Sequence, residues 1–189
     1  MYDMICVGTA LVDSLIRGFD PEPVSASGFR AVSGSLSAGG EAVNEAATAA
    51  KLGMRTGILC CLGEDEAGEM VLASLKKSGA DTSLVIRSKE NPTPVTTMFV
   101  NSDGTRKSIT NRAHRYNFHP EKYVSLCSET RAVILGSLFR SPFDDPEGIH
   151  AVLSAAKAAG ALVFADTKLP NFRTLHLKDI AASLPLIDC

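Results

Sequence analysis

Residues 38–46 read AGGEAVNEA, and this stretch decides the fold of the 189-residue chain. The paired glycines Gly39 and Gly40 stand directly before an Ala-rich helix predicted over 41–52, which Gly53 ends. Glycine at a helix start lets free backbone N–H groups approach a polar ligand closely. Asn44, one turn into the helix, offers both a donor and an acceptor to hydroxyl groups. A packing helix with a solvated Asn44 fits the same pattern equally well.

Strand and helix patterns alternate along the rest of the chain. Further helices are predicted at 66–78 and 147–159, and apolar strands at 4–7, 56–62, 132–135 and 161–165. This alternation predicts an α/β fold with a mainly parallel, Rossmann-like sheet, flanked by helices and joined by right-handed crossovers. The length fits one domain, 1–189. Residues 184–189 look like the entry into another buried strand without a covering helix, so we interpret the domain as part of a larger unit.

Two segments have a different texture from the alternating elements. Residues 17–38 form an irregular stretch with Gly, Pro and Ser. Residues 95–101 and 106–111 are strand-like, and Asp103-Gly104 between them is a strong hairpin signal. We expect this hairpin to stand apart from the parallel sheet.

Composition gives no support to several classes of partner and site. With 19 basic and 21 acidic residues, the net charge of -2 gives no reason to expect nucleic acid or an anionic membrane as partner. Five cysteines lack framework or C-x-x-C spacing, and four histidines are dispersed, so no metal site is predicted. No apolar run approaches the length of a membrane span, and a signal peptide is not evident. These features predict a reduced, cytoplasmic protein.

Asp13 is a second candidate for ligand binding. It interrupts the apolar run 11–16, soon after the first predicted strand. A carboxylate inside an apolar run needs a partner if it is buried, and a polyol ligand is one such partner. A turn or capping aspartate is the alternative, favoured about two to one when Asp13 is considered alone.

Seven residues stand at the spacing of the N-terminal signature of ribokinase-like (PfkB) carbohydrate kinases, a family that the chain resembles: Gly39, Gly40, Ala42, Asn44, Ala46, Gly53 and Gly63. Val7-Gly8 with Asp13 is similar to the family's opening strand and sugar-binding aspartate. The resemblance therefore implies a ribokinase-like fold with Asp13, Gly39, Gly40 and Asn44 as substrate-binding residues. It also implies that approximately 17–38 and 93–112 form a small β lid inserted within the domain.

The resemblance further implies ATP-dependent phosphoryl transfer to a hydroxyl of a sugar or nucleoside, with ATP and Mg²⁺ as cofactors. The family's C-terminal signature, of the type D-T-x-G-A-G-D, carries the ATP site and the catalytic aspartate. Residues 166–169, DTKL, match only its first two letters. We therefore assign no catalytic residue, and we interpret the chain as the sugar-binding half, inactive alone. The alternative is a non-catalytic sugar-binding or interaction module truncated from such a kinase.

Other signals are weaker. Arg112 lies among basic residues near the hairpin, where a solvated strand edge is the alternative to contact with a phosphorylated sugar. Asp166 and Lys168 would point to one face of a strand, as a structural ion pair or as substrate contacts. The lid hairpin is also a candidate surface for a homodimer. No dinucleotide, P-loop, esterase or zinc-protease motif is found in the sequence.

Overall fold

A computed structural model describes residues 1–18, 30–111, 119–167 and 175–189. Arg112, Lys168 and part of the 17–38 segment lie outside these residues. Within the described ranges, two 3-10 helices span Pro120–Glu129 and Leu177–Leu186. The other elements, in chain order, are β1 Met4–Val7, β2 Leu11–Arg17, β3 Ser33–Gly39, α1 Glu41–Lys51, β4 Thr56–Leu59, β5 Cys61–Gly63, α2 Glu66–Ser78, β6 Ile86–Ser88, β7 Val95–Val100, β8 Arg106–Thr110, β9 Ala132–Leu138, α3 Pro146–Ala158 and β10 Leu162–Thr167.

The central sheet is parallel, with the strand order β10-β9-β1-β4. Its strands send alternate side chains to opposite faces. Ile5 and Val7 of β1 belong to one buried cluster with residues of α3, whereas Cys6 belongs to another with residues of α1 and α2. Helices therefore cover both faces, as a parallel sheet requires. This confirms the predicted α/β class.

The helix ends follow their sequence signals. Asp65 caps α2, since its carboxylate accepts a 2.8 Å hydrogen bond from the Gly68 backbone N–H. Gly79 ends the same helix in the left-handed conformation, with φ 88°. Both predicted boundaries are confirmed.

The run predicted as one strand, 56–62, is two strands in different sheets. β4 pairs with β1, whereas β5 pairs with β6 in a small separate sheet. The change occurs at Cys60, whose carbonyl accepts a hydrogen bond from the Ile86 backbone N–H. An apolar run does not reveal this change, because all its residues are buried in either sheet.

A second sheet has the order β3-β2-β7-β8. The hairpin of β7 and β8 forms as predicted, but β7 also pairs in parallel with β2. The prediction of an irregular 17–38 segment is wrong for 33–38, because β3 pairs with β2 along its whole length. Most of β3 is exposed, so its sequence SGSLSAG carries no buried apolar pattern that would indicate a strand.

Asp188 and Cys189 form backbone hydrogen bonds with β10. The Asp188 N–H donates to the Val163 carbonyl, and the Ala165 N–H donates to the Cys189 carbonyl, each at 2.9 Å. The predicted strand entry at 184–189 is thus wrong for its first half, which belongs to a 3-10 helix. Within the described ranges, no helix is long and apolar enough to cross a membrane.

Candidate functional site

The candidate site lies where β1, β9 and β10 end and α1 begins. Gly8 and Gly136 allow the backbone after β1 to lie close to β9. A Cβ added at Gly8, directly after β1, would lie 2.9 Å from the Gly136 carbonyl oxygen in β9, and Gly8 has φ 153°. In open α/β sheets, ligands bind in the crevice at the carboxyl ends of the strands. We refer to this region as the crevice.

Asp13 lies against Gly39 at one side of the crevice. A Cβ at Gly39 would overlap the Asp13 carboxylate, so glycine is needed for the carboxylate to lie there. Asp13 follows β1 closely, as expected, but it lies within β2, a strand that the sequence did not predict, and it is half-buried. Its neighbours across the sheet are Ser37 on β3 and Thr96 on β7. Hydroxyl side chains therefore flank the carboxylate on the same face of the second sheet.

Gly40 joins β3 to α1 without an intervening loop. Its φ of 98° is strained for other residues, and a Cβ there would overlap the Thr9 carbonyl. The Gly40 carbonyl accepts a 3.0 Å hydrogen bond from the Asn44 backbone N–H, while the Asn44 side chain is exposed. Asp13, Gly39 and Gly40 are thus brought together, and Asn44 follows them in the first turns of the helix.

Asp166 lies at another part of the crevice, at the end of β10. It accepts a short hydrogen bond from the Ser137 backbone N–H, which ties β10 to β9. The predicted Asp166–Lys168 pair and the Arg112 contact lie outside the described residues. Asp166 also interacts electrostatically with Glu45, since the charge of Asp166 contributes to raising the pKa of Glu45.

Glu45 is a crevice residue that sequence reasoning did not single out. Burial, followed by the charges of Asp166 and Glu41, raises the pKa of Glu45 to about 7. Near neutral pH this carboxyl is therefore protonated in part of the molecules and can donate as well as accept a hydrogen bond. The sequence places Glu45 directly after Asn44 on the predicted helix. It does not show that the Glu45 side chain lies close to Gly136 of β9.

A family model described as pfkB family carbohydrate kinase matches residues 3–189. The chain belongs to the PfkB family of carbohydrate kinases. The residues that the resemblance carried over, including Gly39, Gly40 and Asn44, are within the matched range. Membership in this family confirms the predicted resemblance.

Relatives of the PfkB family agree with this assignment. A 2-dehydro-3-deoxygluconokinase of Bacillus subtilis (strain 168) is 49% identical over 51 residues, which are 26% of this chain and 16% of that protein. The chain is similar in fold to Arabidopsis thaliana ribokinase complexed with ribose and ATP, with a TM-score of 0.75 and 24% identity over 88% of this chain and 53% of the ribokinase. It is also similar to fructokinase from Xylella fastidiosa, with a TM-score of 0.76 and 22% identity over 100% of this chain and 58% of the fructokinase. The chain therefore spans little more than half the length of these two structures.

Gly39→Ala should destabilise this PfkB chain, because the new Cβ would overlap the Asp13 carboxylate and lie 3.1 Å from Leu11 Cδ1. Overpacking of this kind costs about 1–3 kcal/mol of the free energy of unfolding, measured by urea denaturation. Gly34→Ala is the matched control in the same strand, since a Cβ there makes only an ordinary 3.6 Å contact with Ile16. Equal stability of the two variants would contradict the close approach of Asp13 to Gly39.

Proposed function

We propose that the chain forms the sugar-binding half, with a β lid, of an ATP-dependent carbohydrate kinase. The reaction would transfer a phosphoryl group to a hydroxyl of a sugar or nucleoside. One observation carries the proposal: the Asp13 carboxylate lies over Gly39 at the glycine-opened start of α1, on a sheet face with hydroxyl side chains. The PfkB family supports the phosphoryl transfer.

In this proposal the chain's own residues bind and orient the substrate. Asp13 accepts hydrogen bonds from two hydroxyls, and Asn44 both donates and accepts. Gly39 and Gly40 keep the space above the helix start free of side chains. A carboxylate holds hydroxyls with charge-assisted hydrogen bonds, which are shorter and stronger than bonds between neutral groups. The substrate is thereby fixed relative to the crevice.

The lid is part of the same proposal. Segments 17–38 and 93–112 would cover the bound sugar, supported by the position of Asp13 on the second sheet that β2, β3, β7 and β8 form. Arg112, Asp166 and Lys168 would contact the substrate or its phosphate. The Asp166 carboxylate accepts a hydrogen bond from the Ser137 backbone N–H, which holds it in place at the crevice and supports its part in this proposal.

The cofactors ATP and Mg²⁺ belong to the proposal through the family. Within the ranges that the structure describes, no group of three His, Cys, Asp or Glu side chains is arranged to hold a metal ion. No step proposed here passes through Mg²⁺, which phosphoryl-transfer sites hold with one or two carboxylates and the phosphates of the nucleotide. A cytoplasmic location is also proposed, supported by the buried free thiols Cys6, Cys60, Cys61 and Cys127.

Asp13→Asn and Asn44→Ala should each weaken sugar binding about ten- to a hundredfold, with little change in melting temperature. A lost hydrogen bond to a charged partner is worth roughly 1.5–3 kcal/mol, which gives this range. Calorimetric titration with D-ribose, D-fructose and 2-dehydro-3-deoxygluconate measures it. Glu64→Gln, which likewise replaces a carboxylate by an amide at an exposed position outside the lid, is the matched control. Binding that Asp13→Asn leaves unchanged would contradict the assignment of Asp13.

The alternative is a non-catalytic sugar-binding or interaction module, favoured by the unmatched C-terminal signature. For the 189 residues alone, we expect no ATP-dependent phosphorylation of pentoses, hexoses or nucleosides. The physical reason is that phosphoryl transfer needs a base and a cradle for the phosphates, which the family places in that signature. A coupled assay of ADP release tests this. Turnover at roughly 1–100 per second would overturn the expectation.

A homodimer through the second sheet is also proposed. Leu36 on β3 and Ile109 on β8 are 61% and 66% exposed. The strand register places both in one row across the sheet, on the face opposite Asp13. Leu36→Ser with Ile109→Ser should shift the chain toward monomer in sedimentation experiments. A wild-type chain that stays monomeric at high micromolar concentration would exclude this dimer.

A further inference from the structure

Two buried polar atoms, one on α1 and one on β9, have no role in the proposed function. Within the described residues, Glu45 Oε2 and Ser137 Oγ are buried and have no hydrogen-bond partner. Ser137 is fully buried, at 0% exposure. More than nine-tenths of buried polar groups in native proteins are paired, so each exception calls for a specific explanation.

Both atoms border the crevice. A Cβ added at Gly136 would lie 3.2 Å from Glu45 Oε2, so the absence of a side chain there leaves room for this oxygen. Ser137 is the next residue of β9, and its backbone N–H donates to Asp166 on β10. The unpartnered oxygens of Glu45 and Ser137 therefore lie among α1, β9 and β10, at the sheet edge where ligands collect.

The backbone at this edge is strained. Ser137 and Phe139 have φ values of 66° and 71°, a region that residues other than glycine rarely adopt. Such conformations persist where the surrounding structure holds them, and they cluster at ligand-binding positions. Ser137 thus combines two independent observations, a positive φ and a buried hydroxyl without a hydrogen-bond partner.

We propose that Glu45 and Ser137 form a second substrate contact in the crevice, which binds a neutral hydroxyl group of the substrate and disfavours a carboxylate. This inference rests on the proposed sugar-binding function and narrows its substrate class to neutral polyols at this end. Ser137 Oγ and the Glu45 carboxyl can each donate and accept a hydrogen bond, which matches a hydroxyl.

The surrounding charges explain why a carboxylate is disfavoured. The carboxylates of Asp166 and Glu41 both act on Glu45, since their charges, after burial, contribute to raising its pKa. Arg140 is paired with Glu41, with 3.9 Å between Nη1 and Oε1. Another anion beside Glu45 would meet like charges in a partly desolvated place, where repulsion is stronger than in water. A hydroxyl avoids this repulsion.

Two substitutions of Glu45 separate a polar contact from packing. Glu45→Leu keeps much of the volume but removes the polar atoms, and it should weaken binding of D-ribose or D-fructose about tenfold or more. Glu45→Gln keeps a donor and an acceptor, so neutral-sugar affinity should stay within about threefold of wild type. Because this variant also removes a charge, its affinity for 2-dehydro-3-deoxygluconate should rise. Glu64→Leu and Glu64→Gln, at an exposed glutamate, are the matched controls.

Ser137→Gly gives a readout that a purely structural role would not. Glycine tolerates positive φ, and its introduction removes a buried hydroxyl without a partner. The variant should therefore melt about 2–4 °C or more above wild type, while its affinity for the neutral sugar falls about tenfold. Ser137→Ala keeps the backbone strain and should show the same loss of affinity.

The outcomes distinguish this inference from the function on which it rests. If wild type binds none of the three sugars, the proposed function fails, and the inference fails with it. If wild type binds a neutral sugar and both Glu45→Leu and Ser137→Gly bind it equally well, the second contact is wrong although the function stands. Tighter binding of 2-dehydro-3-deoxygluconate than of either neutral sugar by wild type would also overturn the inference.

Discussion

The junction at Gly39 and Gly40 is the constraint on which the relation between the two sheets depends. Gly39 ends β3 in the second sheet, and α1, which packs on the central sheet, begins immediately after Gly40. The φ of 98° at Gly40 and its contact with the Thr9 carbonyl leave no space for a side chain. With a single residue between strand and helix, the second sheet is held directly over the helix start. The position of Asp13 near the crevice follows from this junction.

Most of the fold could be predicted from buried apolar runs and helix ends. β1, α1 and α2 match their predicted ranges within a residue, since burial, capping and glycine signals agree there. β3 could not be predicted, because exposed strands depend on backbone pairing with a partner distant in sequence. β2 was missed for a related reason. Its apolar run, which Asp13 interrupts, indicates a strand only when its pairing with β3 and β7 is known.

The candidate site divides in the same way. Gly39, Gly40, Asn44 and Asp13 were found because glycine pairs and a carboxylate in an apolar run are visible in the sequence. Ser137 gives no such signal, because a serine at the end of an apolar strand is ordinary. Its positive φ and its link to Asp166 arise only when β9 and β10 lie side by side. Gly39, Gly40 and Asn44 thus lie in one continuous segment, and Asp13 carries a signal of its own, whereas Ser137 becomes visible only through tertiary approach.

The electrostatics of the crevice set what a ligand at Glu45 must supply. The folded chain raises the pKa of Glu45 from 4.5 to about 7, so it binds more protons than the unfolded chain between these pH values. The free energy of unfolding therefore falls as pH rises through this interval. The loss is roughly 1–3 kcal/mol once solvent screening of this partly open group is allowed for. A ligand hydroxyl would offset this loss of stability by donating a hydrogen bond to the ionised Glu45 carboxylate. A ligand carboxylate would increase the loss, because it adds a like charge beside Glu45.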